Sequence, residues 1–480
     1  MLKKTSFSWL VLSSGLLAAC SMMPTYERPT APVAAQFPGE FLGASGGAAT
    51  PAADIEWQNF FTDPKLNQLI TAALQNNRDL RIAVLTIEQA RARFQIRRAD
   101  QFPTLNAALT GSRQSTDSAA NGSGISSLYS AGLAVTAYEI DFFGRVASLK
   151  EAALAQYLAT VEGRKTAQIS LVALVANTYL ALLGDDELLV ITQQTLSTRQ
   201  ESFKLAKLRF DNGVTSELDL RLAESLLESA NVSLAQQKRQ RALDENTLTL
   251  LVGQSLNGAL AVNGGPALHT ATLQDVPAGL PSDLLARRPD IRQAEQQLIA
   301  ANANIGAARA AFFPRIALTA SAGTASSRLG GLFSSGTWGW TLAPQLLLPI
   351  FDAGRNKAGL ASSRAAEGVA VATYEKAIQT AFKEVADALA GRATYAEQLR
   401  AAQAQANAEA VRYRLADLRY QNGVASQLDQ LDAQRSLFAA RQAVVQTRLA
   451  QLQSQVTLYK VLGGGWKNES ATAASPSLRP

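Results

Sequence analysis

The chain changes its hydrophobic period twice, and then repeats the change. In "TLNAALTGSRQ" (104–114), Leu105, Ala107 and Leu109 alternate with Thr104, Asn106, Thr110 and Ser112, a period of two that predicts a strand. In "RIALTASAG", Ile316, Leu318 and Ala320 alternate with Arg315, Thr319 and Ser321. In "WGWTLAPQLLLPI" (338–350), Trp338, Trp340, Leu342, Leu346, Leu348 and Ile350 share one face and Gly339, Thr341 and Gln345 the other. Strands of about 9–11 residues with one apolar and one polar face suit a transmembrane β-barrel. A half-buried soluble sheet alternates in the same way, so the pattern alone leaves both open.

After each strand pair the period becomes helical. No proline occurs from Val146 to Phe210 or from Asn356 to Tyr420. Leu189, Leu196, Phe203 and Phe210 are spaced by sevens; so are Leu220, Leu227 and Leu234, and, in the second half, Leu399, Ala406, Tyr413 and Tyr420. A sustained seven-residue period predicts supercoiled packing against other helices.

These elements form two copies of one plan. "LRFDNGVTSELD" (208–219) and "LRYQNGVASQLD" (418–429) agree at eight of twelve positions, at an offset of 418 − 208 = 210. "TLTLLVG" (247–253) pairs with "TLYKVLG" (457–463), and Gly144-Arg145 with Gly354-Arg355, at the same offset. The first copy covers 65–253: a helix, strands at about 104–115 and 128–141, and long helices at 146–210 and 214–252. The second covers 282–463: a helix, strands at about 315–326 and 338–350, and long helices at 356–420 and 424–462. The turn-rich segment 254–281 joins them. "STDSAANGSGISS" (115–127) and "SSRLGGLFSSGT" (326–337) read as exposed loops between paired strands, and Pro103, Pro314 and Pro349 mark seams between elements.

Four strands cannot close a barrel, for which about eight are the minimum. Their edges would be open in lipid, where unpaired backbone groups are not tolerated. A barrel therefore requires several chains; a trimer would supply twelve strands with sixfold pseudo-symmetry.

Composition narrows the chemistry. The one cysteine, Cys20, excludes an internal disulfide and a cysteine-based zinc cluster. The one histidine, His269, lies in a loop-like stretch and argues against a histidine triad or zinc site. No P-loop or nucleophile–base pair is present, so the expectation is no enzyme and no cofactor. A net charge of +6 without a long basic tract gives no nucleic-acid signal. Outside the N-terminus no continuous apolar run suggests a helical membrane span. Residues 1–19 carry Lys3 and Lys4 and a short apolar core, as a secretory signal does. They end in Leu17-Ala18-Ala19-Cys20, which resembles the bacterial lipobox; an ordinary Ala-x-Ala cleavage site is the alternative. With Cys20 lipidated, residues 20–64 form an anchored Pro/Ala/Gly-rich arm at the outer-membrane lipid, and 464–480 read as a disordered tail.

Three long motifs now stand in order: "LPSDLLARRPDIRQAEQQLIAANANIGAARAAFFPRIALTA" (280–320), "PIFDAGR" (349–355) and "LRYQNGVASQLDQLDAQRSLF" (418–438). Through them the chain resembles the TolC family of outer-membrane efflux ducts, in its OprM-like lipoprotein branch, over nearly all of 20–465. The resemblance implies a mixed fold, all-α with membrane β. An internally duplicated homotrimer would build a twelve-stranded outer-membrane β-barrel. A twelve-helix periplasmic α-barrel with a mixed equatorial domain would continue it. It also implies a passive exit duct, opened by a periplasmic adaptor protein and an inner-membrane RND-type pump. Drugs and other small toxic compounds lead as cargo; heavy metals or secreted proteins are the alternatives. A trimeric coiled-coil scaffold or adhesin is the rival from another class, and it would not predict matched strand pairs.

The tips of the long helices carry the candidate site. Asn212-Gly213 and Asn422-Gly423 break the helices, since Asn-Gly tolerates positive φ. Ser216-x-x-Asp219 and Ser426-x-x-Asp429 resemble capping boxes, which gives Asp219 and Asp429 a structural reading beside a gating one. The resemblance maps Asp429 and Asp432 onto two aspartates that ring the family's closed periplasmic aperture, and Tyr420 onto a gate tyrosine. The family's arginine partner position is Ala425 here. Leu222 stands where the second copy has Asp432, so the hairpins are not equivalent; the first reads as static wall and the second as mover.

Overall fold

The computed structural model describes residues 21–34, 52–118, 122–257, 267–276 and 287–466. Cys20, the signal segment, residues 35–51 of the arm and the tail beyond 466 lie outside the described residues. In chain order the elements are α1 (Trp57–Phe60), α2 (Pro64–Asn76), α3 (Arg78–Ala99), β1 (Leu105–Ser118), β2 (Gly122–Ile140), α4 (Arg145–Asp211) and α5 (Glu217–Val252). Then follow α6 (Pro289–Ala310), β3 (Arg315–Ser326), β4 (Trp338–Leu347), α7 (Arg355–Gln421) and α8 (Gln427–Val461).

Several boundaries differ from expectation for local physical reasons. The polar stretch 115–127, read as a loop, is largely strand: Ser115 pairs with Ile125, Thr116 with Gly124, Asp117 with Ser123 and Ser118 with Gly122. Small polar residues do not oppose an extended backbone once a regular ladder is running. In the second copy β4 stops at Leu347, before Pro349, which has no N–H for a ladder, so Leu348 and Ile350 fall outside the strand. Helices α5 and α8 begin three residues later than expected, because Ser216 and Ser426 act as N-caps. The first copy opens with two helices rather than one. Asn77 ends α2 and accepts from Leu80 N at 2.9 Å, while its amide reaches Leu251 O at 2.9 Å.

The compact units cut across the sequence copies. One unit comprises 1–30, 86–161 and 293–375; the other 31–85, 162–292 and 376–480. Each draws on both copies, because the pairing of β2 with β3 and the packing of helices on helices join residues of different copies.

In the first unit the arm lies along α6. Arg28 grips Glu295 with two hydrogen bonds of 2.7 and 2.9 Å, and the Tyr26 hydroxyl donates to the same carboxylate at 3.2 Å. Asn302 donates to Pro24 O at 2.9 Å. Gly306 leaves room for Met23: a Cβ there would lie 2.8 Å from Met23 Cα and 2.6 Å from Ser148 Oγ.

The core of the second unit explains an apolar stretch of α4. That helix contains an 18-residue window apolar enough to cross a membrane, contrary to expectation, but 67% of the window is buried inside the protein. Val175, Ala176, Tyr179 and Leu182 are among its fully packed side chains. The Tyr179 hydroxyl donates to Asp63 at 2.6 Å. Phe60 stacks on Tyr459 at 4.0 Å between ring centres, and the Tyr459 hydroxyl donates to Ile55 O at 2.7 Å. The described part of the joining segment is clamped here: Arg448 donates to Ala271 O at 2.6 Å and Arg392 to Val276 O at 2.7 Å.

Candidate functional site

The sheet of the first unit has the order β1-β2-β3-β4, all antiparallel. Directly paired residues point to the same side of a sheet, so the register fixes what each face carries. One row runs Ala107–Leu133–Ala322–Trp340; another runs Leu105–Val135–Ala320–Leu342. The alternate rows run Asn106–Ala134–Ser321–Thr341 and Ala108–Gly132–Gly323–Gly339. Over these rows one face is thus apolar and the other small and polar. The apolar face is uncovered in the chain: Leu109, Trp338 and Trp340 are about two-thirds or more exposed. The extra residues between Val135 and Tyr138 form a bulge, where Ala137 takes a φ of 51°. At the Gly132–Gly323 crossing the backbones nearly touch: a Cβ on Gly323 would lie 2.3 Å from Ala131 O. The outer edges of β1 and β4 have no strand partner among the described residues.

In the second unit the repeated "NG" turns build two matched tips. Gly213 and Gly423 have φ of 70° and 72°, where a side chain would be strained. Val214 N donates to Arg209 O at 2.8 Å and Gly213 N to Phe210 O at 2.9 Å; Val424 and Gly423 repeat this with Arg419 O and Tyr420 O. These are Schellman closures, which satisfy the last carbonyls of each helix. The Asn212 and Asn422 amides reach back to Leu208 O and Leu418 O at 2.6 and 2.7 Å. Leu208, Val214 and Leu218 are exposed on the first tip, and Leu418, Val424 and Leu428 at the matching positions of the second.

The three acids expected at the gate, Asp219, Asp429 and Asp432, are all engaged. Asp219 accepts from Ser216 Oγ at 2.7 Å and Thr215 Oγ1 at 2.9 Å, and the Ser216 bond holds its carboxyl below the usual range. Asp429 closes a complete capping box with Ser426. Asp432 sits between Arg412 at 2.6 Å and Arg435 at 2.5 Å; chiefly the Arg412 bond holds its carboxyl low.

Tyr420 has an arginine partner, although position 425 is alanine. Arg209 Nη1, on α4 of the other hairpin, donates to the Tyr420 hydroxyl at 2.6 Å, with its guanidinium 4.8 Å from the ring centre. The sequence held a signal for this: the first copy has Phe210 where the second has Tyr420, so only the second offers a hydroxyl. Of the partners of Asp432, Arg435 stands at i+3 on the same helix, a spacing that pairs side chains, whereas Arg412 on the neighbouring helix had no such signal. Leu222 is part of an apolar cluster with Ala206, Ala223 and Leu431, which spans both hairpins.

The description "Outer membrane efflux protein" matches residues 69–254 and 280–464, one match per copy. A probable efflux pump outer membrane protein, TtgC of Pseudomonas putida, is 49% identical over 468 residues, covering 97% of this chain and 96% of that one. A solved membrane protein from Pseudomonas aeruginosa superposes with a TM-score of 0.85 at 46% identity, over 93% of this chain and 98% of that one. The open state of the MtrE outer membrane channel of Neisseria gonorrhoeae superposes with a TM-score of 0.84 at 40% identity, over 93% and 99%. With both copies matched and relatives covered nearly end to end, the chain belongs to the outer membrane efflux protein family.

Proposed function

We propose that three copies of this chain form the outer-membrane exit duct of a tripartite efflux pump, through which small toxic compounds leave the periplasm. The observation that carries the reading is the sheet: a largely apolar face, a small polar face, and two edges without partners among the described residues. In hydrocarbon such edges must be paired, and joining β4 of one copy to β1 of the next closes a twelve-stranded barrel. The apolar face then meets lipid and the small polar face lines the lumen. Cys20, lipidated, anchors the arm in the same membrane.

The helical hairpins carry the gate. Arg209–Tyr420 ties the two hairpins of one chain together, and the Leu222–Leu431 cluster packs behind it. The first hairpin acts as wall and the second, with Asp429 and Asp432, as mover. The exposed apolar residues flanking Gly213 and Gly423 suit docking by a periplasmic adaptor, which passes on opening work from an inner-membrane RND-type pump. The relatives' names support the cargo class: they include toluene, solvent and antibiotic efflux pump proteins of Pseudomonas putida.

The test is single-channel conductance of the purified protein in planar bilayers, wild type against Asp429→Ala/Asp432→Ala. A small conductance whose ion selectivity shifts in the double variant supports a nearly closed duct gated at the tips. Absence of any pore from trimeric, lipidated protein overturns the duct.

A further inference from the structure

A buried arginine without a counter-charge lies where the two hairpins meet. Arg199, on α4, is 3% exposed. Its Nη1 donates to Leu226 O on α5 at 2.7 Å. Its guanidinium carbon stands 5.4 Å from the ring centre of Phe438 on α8, within reach of a cation–π contact. Among the described residues no carboxylate pairs with it, and its Nε has no acceptor. Burial, opposed by no acid, holds its pKa below the ordinary arginine value.

The same chain shows a compensated counterpart. Arg288 is the other fully buried arginine among the described residues, and it meets Asp290 at 2.6 Å and Glu384 at 2.8 Å. A neighbouring copy cannot bring Arg199 the missing acid, because the side chain is already covered within one chain. The second hairpin carries no such charge: at the offset of 210 stands Glu409, which pairs with Arg412 at 3.1 Å.

An ion taken out of water loses more than one hydrogen bond and one aromatic face return to it. We propose that Arg199 is a positioning residue of the gate: its uncompensated charge works against the closed packing of the hairpins and sets how readily the second one leaves. It acts through Phe438. While that ring covers the guanidinium, water is kept from it. When α8 moves away, water returns and the cost is relieved.

Arg199 stands 209 − 199 = 10 residues from Arg209, about 15 Å along α4, with Ala206 of the apolar cluster between them. The two arginines act in opposite senses. Arg209 holds the hairpins together through the Tyr420 hydroxyl, and Arg199 favours their parting. That parting opens a gate rests on the proposed function; that the buried charge is a cost to the packing does not.

The test is a charge series at one position in the purified full-length protein. Arg199→Met keeps the length without the charge. Arg199→Gln removes the charge and keeps a donor for Leu226 O, and it decides the matter if the Met variant does not assemble. Arg199→Lys keeps the charge. Thermal midpoints in detergent should rise in the Met and Gln variants and not in the Lys variant. In planar bilayers the open probability of the two neutral variants should fall about tenfold, while the Lys variant opens at least as often as wild type. A strut would give the reverse, a lower midpoint and more frequent opening without the charge. That result, or three variants that behave alike, overturns the proposal. A raised midpoint with unchanged open probability overturns the role in the gate. If the wild type forms no pore, the duct reading fails, and the midpoints still decide whether the charge opposes the packing.

Discussion

The Arg209–Tyr420 contact predicts a graded opening. Tyr420→Phe removes the hydroxyl that accepts from Arg209 at 2.6 Å but keeps the ring under the guanidinium. A hydrogen bond to a charged group contributes about 1.5–3 kcal/mol. Arg209 is half-buried, and once freed it regains water, so the lower end applies. At about 1.4 kcal/mol per factor of ten, each latch lost shifts the closed-to-open balance roughly tenfold. Three latches acting together in a trimer would multiply to about a thousandfold. Arg209→Met also removes the cation over the ring, a further ~0.5–2 kcal/mol, and should open more. Single-channel recording gives open probability and conductance; sensitivity of cells to a large antibiotic that normally fails to cross the outer membrane gives the same order in vivo. Adding Tyr420→Phe to Arg209→Met should change nothing further, since the two groups act on each other. If both single variants assemble and melt as the wild type does, yet keep its conductance and open probability, the latch does not hold the gate.

Other variants probe other parts of the argument. Gly323→Val places side-chain carbon against Ala131 O, where even a Cβ would lie 2.3 Å away, so the variant should be made but fail to form a heat-resistant trimer on gels. Asp432→Asn leaves Arg412 and Arg435 without their shared carboxylate, so the reversal potential in a salt gradient should move towards anion preference, whereas a simple acidic ring would only lose selectivity. Glu295→Gln weakens the two-bond grip on Arg28, and Gly306→Leu fills the space of Met23; both should speed protease cleavage within 21–34 without changing cleavage at the tips.

Sheet and hairpins differ in how much of them could be read in advance. The period of two placed three strands and the period of seven three long helices, because a face exposed to one environment writes its period into the chain; the second strand and the last helix followed from the duplicated plan. The turns were equally legible: Asn-Gly followed by Ser-x-x-Asp names a left-handed residue and then an N-cap, and both tips fold so. The strand extension through 115–127 was not, since small polar residues suit loops and continuing ladders alike. The Arg412 bond to Asp432 was hidden too, because Arg412 reaches it from the neighbouring helix. Asp429 and Asp219 were read both as caps and as gate acids, and the capping contacts are present at both.

The sequence by itself determined the duplication, the alternating faces, the long helices and their two turn chemistries. All of these are local, set by side-chain period and backbone preference within a few residues. Only the tertiary structure decided which strands are neighbours, so that the compact units cut across the copies instead of following them. It also decided that Arg209 meets Tyr420 and that Leu222 packs in a cluster with Leu431. Those contacts join residues 211 (420 − 209) and 209 (431 − 222) positions apart. Nothing in local periodicity specifies which of several charged side chains will face each other once two helices pack, because that depends on their relative rotation and register.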